Sequence, residues 1–194
     1  DSYGTRLVYV ILHWKSNTTT FNLGNDNPDN TFFKGGLTKA SINNINQYSS
    51  YNIHNEIYEI SGCNNSNGLE GIGRTIKNMK NITYKFVERM NFYFAYSLET
   101  MENIDFNGGQ FSSTTSAYRG SNLYLLREVK NVRNINQEFV FTNSKRLTKE
   151  SIINILNALV EIDQPKTLTL GAYNLAKLSN EEKAIATNKG WILA

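Results

Sequence analysis

The feature of this sequence that most constrains its fold is an apolar spacing that recurs along its middle. Apolar residues stand at Leu98, Met101, Ile104 and Phe106, the spacing of a leucine-rich-repeat turn that runs into an alternating strand. Related spacings occur at Ile76, Met79, Ile82 and Tyr84, at Leu123, Leu126 and Val129, and faintly at Tyr51, His54 and Ile57. One strand with its return segment cannot bury an apolar face alone, so we expect stacked copies that share a core.

The anchor residues of the predicted strands are 25, 22 and 25 residues apart, within the range of leucine-rich repeats. They are Ile57, Ile82, Ile104 and Val129. A fifth strand with the same alternation is predicted over 166–170, with Leu168 and Leu170 inward, and a last short strand over 191–193. If the anchors are equivalent, they should stack in neighbouring strands.

Two helices are marked by capping signals near the end of the chain. Thr148 is a good N-cap residue with Glu150 in the first turn, and it precedes a broad apolar face. Ser179 and Glu182 have the spacing of a capping box, and Gly190 suits a left-handed residue after the second helix. The fold class predicted from these elements is α/β: a leucine-rich-repeat-like solenoid with a helix–strand–helix C-terminal cap.

The first part of the chain does not fit the repeat. Residues 7–14 read as a buried strand, and a polar stretch follows at 22–30. We therefore interpret residues 1–50 as an atypical N-terminal capping region, the alternative being the tail of a larger preceding domain. Residues 51–194 are then the leucine-rich-repeat-like solenoid, with its C-terminal cap at 147–194.

A polar strip is predicted on the outer face of the strands. Side chains alternate along a strand, so the neighbours of inward anchors face solvent, and amides, a carboxylate and one aromatic ring suit saccharide hydroxyls. The candidate ligand-binding residues are Tyr58, Asn81, Asn103 and Asp105. Asn131 stands where an apolar strand residue is expected, which indicates a bulge or a register change near Val132.

The stretch 166–191, KTLTLGAYNLAKLSNEEKAIATNKGW, resembles the closing segment of a known class of proteins. It is similar to degenerate leucine-rich-repeat proteins of low-GC Gram-positive bacterial surfaces and of their phage tail or receptor-binding proteins. The last 50 or so residues match best, and the part from about Leu69 matches loosely. The chain departs from the ordinary repeat because it lacks a regular inward asparagine at the turn. The resemblance implies an extracellular, cell-surface or virion-tail module that recognises a ligand without catalysis.

Residues for catalysis or metal binding are sparse. His13 adjoins Trp14 in an apolar run, and His54 occupies a position filled by apolar residues in the other copies, so packed structural roles are expected. Cys63 is the one cysteine, which excludes an intramolecular disulfide. Asp26 and Asp29 lack the spacing of a calcium loop. We therefore expect no enzyme activity, no metal and no cofactor.

Charge and hydropathy narrow the choice of partners. Twenty basic and 17 acidic residues are spread along the chain without runs, which does not favour a nucleic-acid surface. The longest apolar run, 7–12, is far too short to span a membrane. The predicted partner is a bacterial or host cell-surface glycan or protein, and a homo-oligomer stays open. The alternatives are a structural virion or assembly element and an accessory domain of a cell-wall hydrolase.

Overall fold

The computed structural model describes residues 76–84, 90–107, 109–111 and 113–194, together with the backbone of residues 87–89 and of five short strands nearer the start of the chain. These strands are β1 (Phe21–Asn22), β2 (Lys39–Asn43), β3 (Tyr48–Ser49), β4 (Glu59–Asn65) and β5 (Leu69–Gly71). Several residues singled out in the sequence lie outside the described residues: His13, Asp26, Asp29, His54, Ile57 and Tyr58.

The remaining elements are seven strands and three helices. The strands are β6 (Asn78–Tyr84), β7 (Val87–Met90), β8 (Thr100–Asp105), β9 (Gly109–Phe111), β10 (Glu128–Lys130), β11 (Thr167–Leu168) and β12 (Ile192–Leu193). The helices are α1 (Lys149–Ala158), α2 (Gly171–Leu175) and α3 (Asn180–Thr187), and a π-helical turn covers Ala117–Ser121.

All strand pairs among the described residues are parallel, and they form four sheets. The largest has five strands in the order β10-β8-β6-β4-β2, and a three-stranded sheet has the order β1-β3-β5. Strands β7 and β9 pair with each other, as do β11 and β12. Parallel neighbours need a long connection, and β7 lies in the one from β6 to β8, while β9 and the π-helical turn lie in the one from β8 to β10.

In the described strands β6, β8 and β10 of the five-stranded sheet, the core includes pairs of apolar residues three positions apart. These are Met79 and Ile82 in β6, Met101 and Ile104 in β8, and Val129 and Val132 in and after β10, all buried. Ile82 is the register partner of Ile104, as the spacing predicts, and Val129 is the partner of Met101. Between the inward residues, two consecutive side chains point outward, so strict alternation is broken once in each strand.

Helix α1 covers the edge of the five-stranded sheet beside β10. The Val129 backbone N–H donates to Oγ of Ser151 at 3.0 Å, which satisfies a donor that a neighbouring strand would otherwise take. The inner face of α1 buries Ile152, Ile155 and Leu156. The helix thus ends the sheet and extends its core.

The predicted capping signals are confirmed. Oγ1 of Thr148 accepts from the backbone N–H of Ser151 at 3.1 Å at the start of α1. Ser179 and Glu182 form a capping box at the start of α3, with both reciprocal hydrogen bonds present. Gly190 has a φ of 86°, in the left-handed region that favours glycine.

The predicted leucine-rich-repeat-like solenoid is wrong for the described residues, which form a small mixed α/β structure with several short parallel sheets. The equivalent strand positions predicted at Ile82, Ile104, Val129 and Leu168 do not share one register. Val129 pairs with Met101 rather than Ile104, and Leu168 lies in the separate β11–β12 sheet. Within the predicted helix–strand–helix cap, the short helix α2 between β11 and α3 was not predicted, whereas the last short strand, predicted over 191–193, is present as β12. The region at 1–50 stays a prediction, because only three short strands of it are described.

Candidate binding surfaces

The predicted polar strip lies on the outer face of the five-stranded sheet. Asn81 and Asn103 are exposed on adjacent strands, and Asp105 is half-buried at the end of β8. Nδ2 of Asn103 donates to Oδ1 of Asn81 at 2.7 Å. The structure therefore brings three of the four predicted site residues onto one surface, and the fourth, Tyr58, is outside the described residues.

The asparagines of this strip have a backbone role. Asn81 and Asn103 have φ of 52° and 55°, and Asn131, which follows β10 in the same register, has φ of 49°. Asparagine tolerates this left-handed region better than most residues because its short side chain bonds locally. The irregularity predicted at Asn131 is thus a feature that three adjacent strands share, not a local change of register.

Asp105 is held by neighbouring residues. Its carboxylate accepts from Nδ2 of Asn134 and Nε of Arg133, both at 2.9 Å, and from the backbone N–H of Asn107 at 3.1 Å. Burial raises the pKa of Asp105, but these hydrogen bonds and the Arg133 charge outweigh it and hold the pKa below its ordinary value. The carboxylate is engaged in fixing the turn after β8.

Charges on the sheet face are balanced across strands. Lys80 and Glu102 are 3.9 Å apart on adjacent strands, and Nε of Arg127 lies 3.4 Å from a carboxylate oxygen of Glu99. Such exposed pairs add little stability, although they leave the face without a concentrated charge of either sign. The face is thus largely satisfied by its own contacts.

A second surface, which the sequence analysis did not identify, lies on the turns that lead into β8 and β10. We call it the tyrosine ridge, and it consists of Tyr93, Phe94, Tyr96, Tyr118 and Tyr124. Tyr93, Tyr96 and Tyr124 are 38%, 36% and 47% exposed, high values for large aromatic side chains. Aromatic rings on a surface are typical of binding sites rather than of solvated faces.

The rings of the ridge touch one another. Tyr96 and Tyr124 are stacked with centroids 6.4 Å apart and planes 8° apart. The ring of Tyr93 packs edge-on against Phe94 at 4.8 Å and lies 5.2 Å from Tyr118. Because each ring is held by a neighbour, the surface is pre-organised before it meets a ligand.

One amide links the two turns of the ridge. Nδ2 of Asn122 donates to the backbone carbonyl of Tyr93 at 2.6 Å, and the Tyr124 hydroxyl is 3.4 Å from its Oδ1. The sequence does carry a signal for the ridge. Tyr96 stands two residues before the buried Leu98, and Tyr124 stands two residues before the buried Leu126, so the two tyrosines occupy equivalent positions. That signal becomes readable only once these turns are known to be adjacent.

The part of the chain that the structure describes holds no group of three or more His, Cys, Asp or Glu side chains arranged to bind a metal. Within the same residues, no helix combines the length and the apolar character that crossing a bilayer requires. Cys63 lies within β4.

Comparisons of the chain with protein-family models, with curated proteins and with solved structures find no match. The resemblance of residues 166–191 to surface and phage-tail proteins therefore remains a prediction from the sequence.

Proposed function

We propose that this chain is a non-enzymatic recognition module that binds a cell-surface glycan through the tyrosine ridge. The observation that carries the proposal is the row of exposed rings on adjacent turns, in which Tyr96 and Tyr124 stack. The setting we propose, a bacterial surface or a phage tail, is supported by the resemblance of the C-terminal residues alone.

The chemistry of the ridge suits a saccharide. A tyrosine ring offers an apolar face to the C–H groups of a sugar, and its hydroxyl donates and accepts hydrogen bonds at the wet edge. Side chains that are already held by stacking lose little conformational entropy on binding, which favours affinity. The ridge carries no charged side chain among its members, so it favours a ligand recognised by shape and hydroxyl groups.

The experiment is the binding of the full chain to a glycan array and to whole cells of several low-GC Gram-positive species. The double variant Tyr96→Ala with Tyr124→Ala is expected to weaken binding by at least about tenfold, because it removes two exposed aromatic contacts. Tyr173→Ala is the matched control, since Tyr173 is 57% exposed but lies outside the ridge beside Lys177.

Treatment of the cells separates the ligand classes. Periodate oxidation of cell-surface sugars should abolish binding, whereas protease treatment should leave it unchanged. Binding that is lost after protease treatment but survives periodate oxidation would show that the ligand is a protein and not a glycan. Undiminished binding by the double variant at an unchanged melting temperature, or no saturable binding of the parent chain to any cell or glycan, would contradict the proposal.

A further inference from the structure

A cleft lies between the end of β10 and the C-terminal end of helix α1. Its volume is about 510 Å³, within the range of sites for small ligands. Two backbone hydrogen bonds join the two walls. The Ile135 N–H donates to the Ala158 carbonyl at 2.8 Å, and the Val160 N–H donates to the Ile135 carbonyl at 3.0 Å. The cleft is therefore part of the fixed structure.

Amide side chains dominate the polar lining of this cleft. Asn131 and Asn134 lie on the sheet wall, and Asn154 and Asn157 lie on the helix wall. The lining also includes buried apolar residues, Val132, Ala158 and Leu159. The cleft thus combines amides with apolar lining residues that are largely buried.

Two of these amides have no internal partner. Asn131 has the same register and backbone conformation as Asn81 and Asn103, but β10 is the last strand of its sheet. Throughout the described part of the chain, no group hydrogen-bonds to the side chain of Asn131, and the same is true of the Asn157 side chain. Both side chains are exposed, so their donors and acceptors face solvent in the cleft.

The charges around the cleft are balanced. Arg133 pairs with Asp105 at 2.9 Å. The ammonium of Lys189 donates to the backbone carbonyls of Asn157 and Leu159, both at 2.7 Å, at the end of α1. Burial lowers the pKa of Lys189, and the nearby Glu161 carboxylate opposes that shift. Arg133 is thus paired with a carboxylate, and Lys189 is bound to backbone carbonyls near Glu161, which favours an uncharged ligand.

We propose that this cleft is a second binding site that takes an uncharged saccharide segment, with Asn131 and Asn157 as the residues that hydrogen-bond it. An amide presents a donor and an acceptor side by side, which matches two neighbouring sugar hydroxyls or an acetamido group. The apolar lining residues complement the C–H groups of the ring. The saccharide class of the ligand rests on the proposed function, whereas the position of the site rests on the cleft alone.

The experiment is a titration of the ¹⁵N-labelled full chain, followed through its assigned asparagine side-chain amide signals. The probes are two neutral oligosaccharides, cellotetraose and chitotetraose, a cationic one, the chitosan tetramer, and an anionic one, tetragalacturonate. Saturable shifts of the Asn131 and Asn157 signals are expected with a neutral probe, and weaker or no shifts with the charged probes. No saturable shift with either neutral probe, or tighter binding of a charged probe, would overturn the proposal.

Variants test the two amides themselves. Asn131→Gly removes the amide while keeping a residue that tolerates a φ of 49°, and Asn157→Ala replaces an exposed helical residue with a better helix former. Each variant is expected to bind the neutral oligosaccharide about tenfold more weakly than the parent chain. Asn180→Ala, at an exposed helical asparagine on α3, is the matched control and should bind as the parent chain does. Unchanged affinity in both cleft variants would remove these residues from the site.

The two sites can fail separately. If Tyr96→Ala with Tyr124→Ala leaves cell binding intact while the cleft amides still respond to a neutral saccharide, the ridge is wrong and the cleft stands. If the ridge variant loses cell binding and no neutral probe shifts Asn131 or Asn157, the cleft is wrong and the ridge stands.

Discussion

Nδ2 of Asn103 donates to Oδ1 of Asn81 at 2.7 Å across two parallel strands, and both residues have positive φ. A left-handed residue within a strand rotates the following side chain, so the inward positions are three apart instead of two. Met101 and Ile104 are both buried for this reason, although strict alternation would place one of them outside. The left-handed backbone at Asn103 thus accounts for two buried positions that are three residues apart.

Because Asn103 has a left-handed backbone, we expect its glycine variant to be more stable than its alanine variant, the reverse of the usual order in strands. In an ordinary strand, a protein with glycine at a given position is less stable than one with alanine there by about 0.5 to 1 kcal/mol. At Asn103 we expect Asn103→Ala to be less stable than Asn103→Gly by about 1 kcal/mol, because alanine is strained at a φ of 55°. Urea unfolding of both variants measures the difference.

The control for this reversal is Glu102, the preceding residue of β8, which is exposed. There the ordinary order should hold, with Glu102→Gly less stable than Glu102→Ala. If alanine proved more stable than glycine at Asn103 as well, the left-handed conformation would not be the reason for asparagine at this position.

Helix boundaries could be predicted from the sequence because their signals are local. The hydroxyl of Thr148 and the capping box of Ser179 and Glu182 act within four residues of chain, and each is confirmed. The register of the strands depends on a long-range match that alternation alone does not give. The sequence prediction equated Val129 with Ile104 because it matched Leu123 to Leu98, whereas the structure pairs Val129 with Met101.

The candidate site, too, could be predicted only in part from the sequence. The spacing predicts Asn81, Asn103 and Asp105 on one outer surface, and the structure brings them together. Their hydrogen bonds to neighbouring residues could not be read from spacing, since Arg133 and Asn134 are 28 and 29 positions from Asp105. The tyrosine ridge could not be predicted, because a single tyrosine in a sequence is equally compatible with a buried core position and with an exposed one.

Ile104 is the core position for which the largest loss is expected. It is fully buried and pairs in register with Ile82, so Ile104→Ala should lower the free energy of unfolding by about 2 to 5 kcal/mol through lost burial and a cavity. Chemical denaturation measures this. Glu102→Ala on the same strand should change it by less than about 0.5 kcal/mol, because its pairing with Lys80 is exposed. A similarly small loss at Ile104 would show that it is not core.

Asp105 predicts a pH-dependent contribution to stability. Because its folded pKa lies below the ordinary value of 3.8, its stabilisation is present above that pH and is lost as the pH falls through the folded pKa. Asp105→Asn should therefore lower the free energy of unfolding by about 1 kcal/mol at pH 7, with the difference shrinking below pH 3.8. Urea unfolding at pH 7 and pH 3 compares the two proteins. A difference that grows on acidification would have the wrong sign and would contradict the hydrogen-bonded carboxylate.

Gly190 joins helix α3 to β12 at a point where no side chain fits. Its φ is 86°, and a Cβ added there would lie 2.5 Å from the carbonyl oxygen of Ile162. That carbonyl belongs to a segment tied to the helix end, because the Ile162 N–H donates to the Lys189 carbonyl at 3.1 Å and Trp191 Nε1 donates to the Val160 carbonyl at 2.7 Å. A side chain at Gly190 must therefore push apart two segments that hydrogen bonds hold together.

We expect Gly190→Ala to lower the free energy of unfolding by at least about 2 kcal/mol, because backbone strain and the steric contact add. Gly190→Asn separates the two causes, since asparagine tolerates positive φ but carries the same Cβ. Equal losses for both variants in chemical denaturation would assign the effect to the Ile162 contact, and a clearly smaller loss for asparagine would assign it to φ. Asn188→Ala, an exposed residue two positions earlier, is the control and should change stability by less than about 0.5 kcal/mol. If Gly190→Ala matched that control, the close approach of Ile162 would be absent from the folded protein.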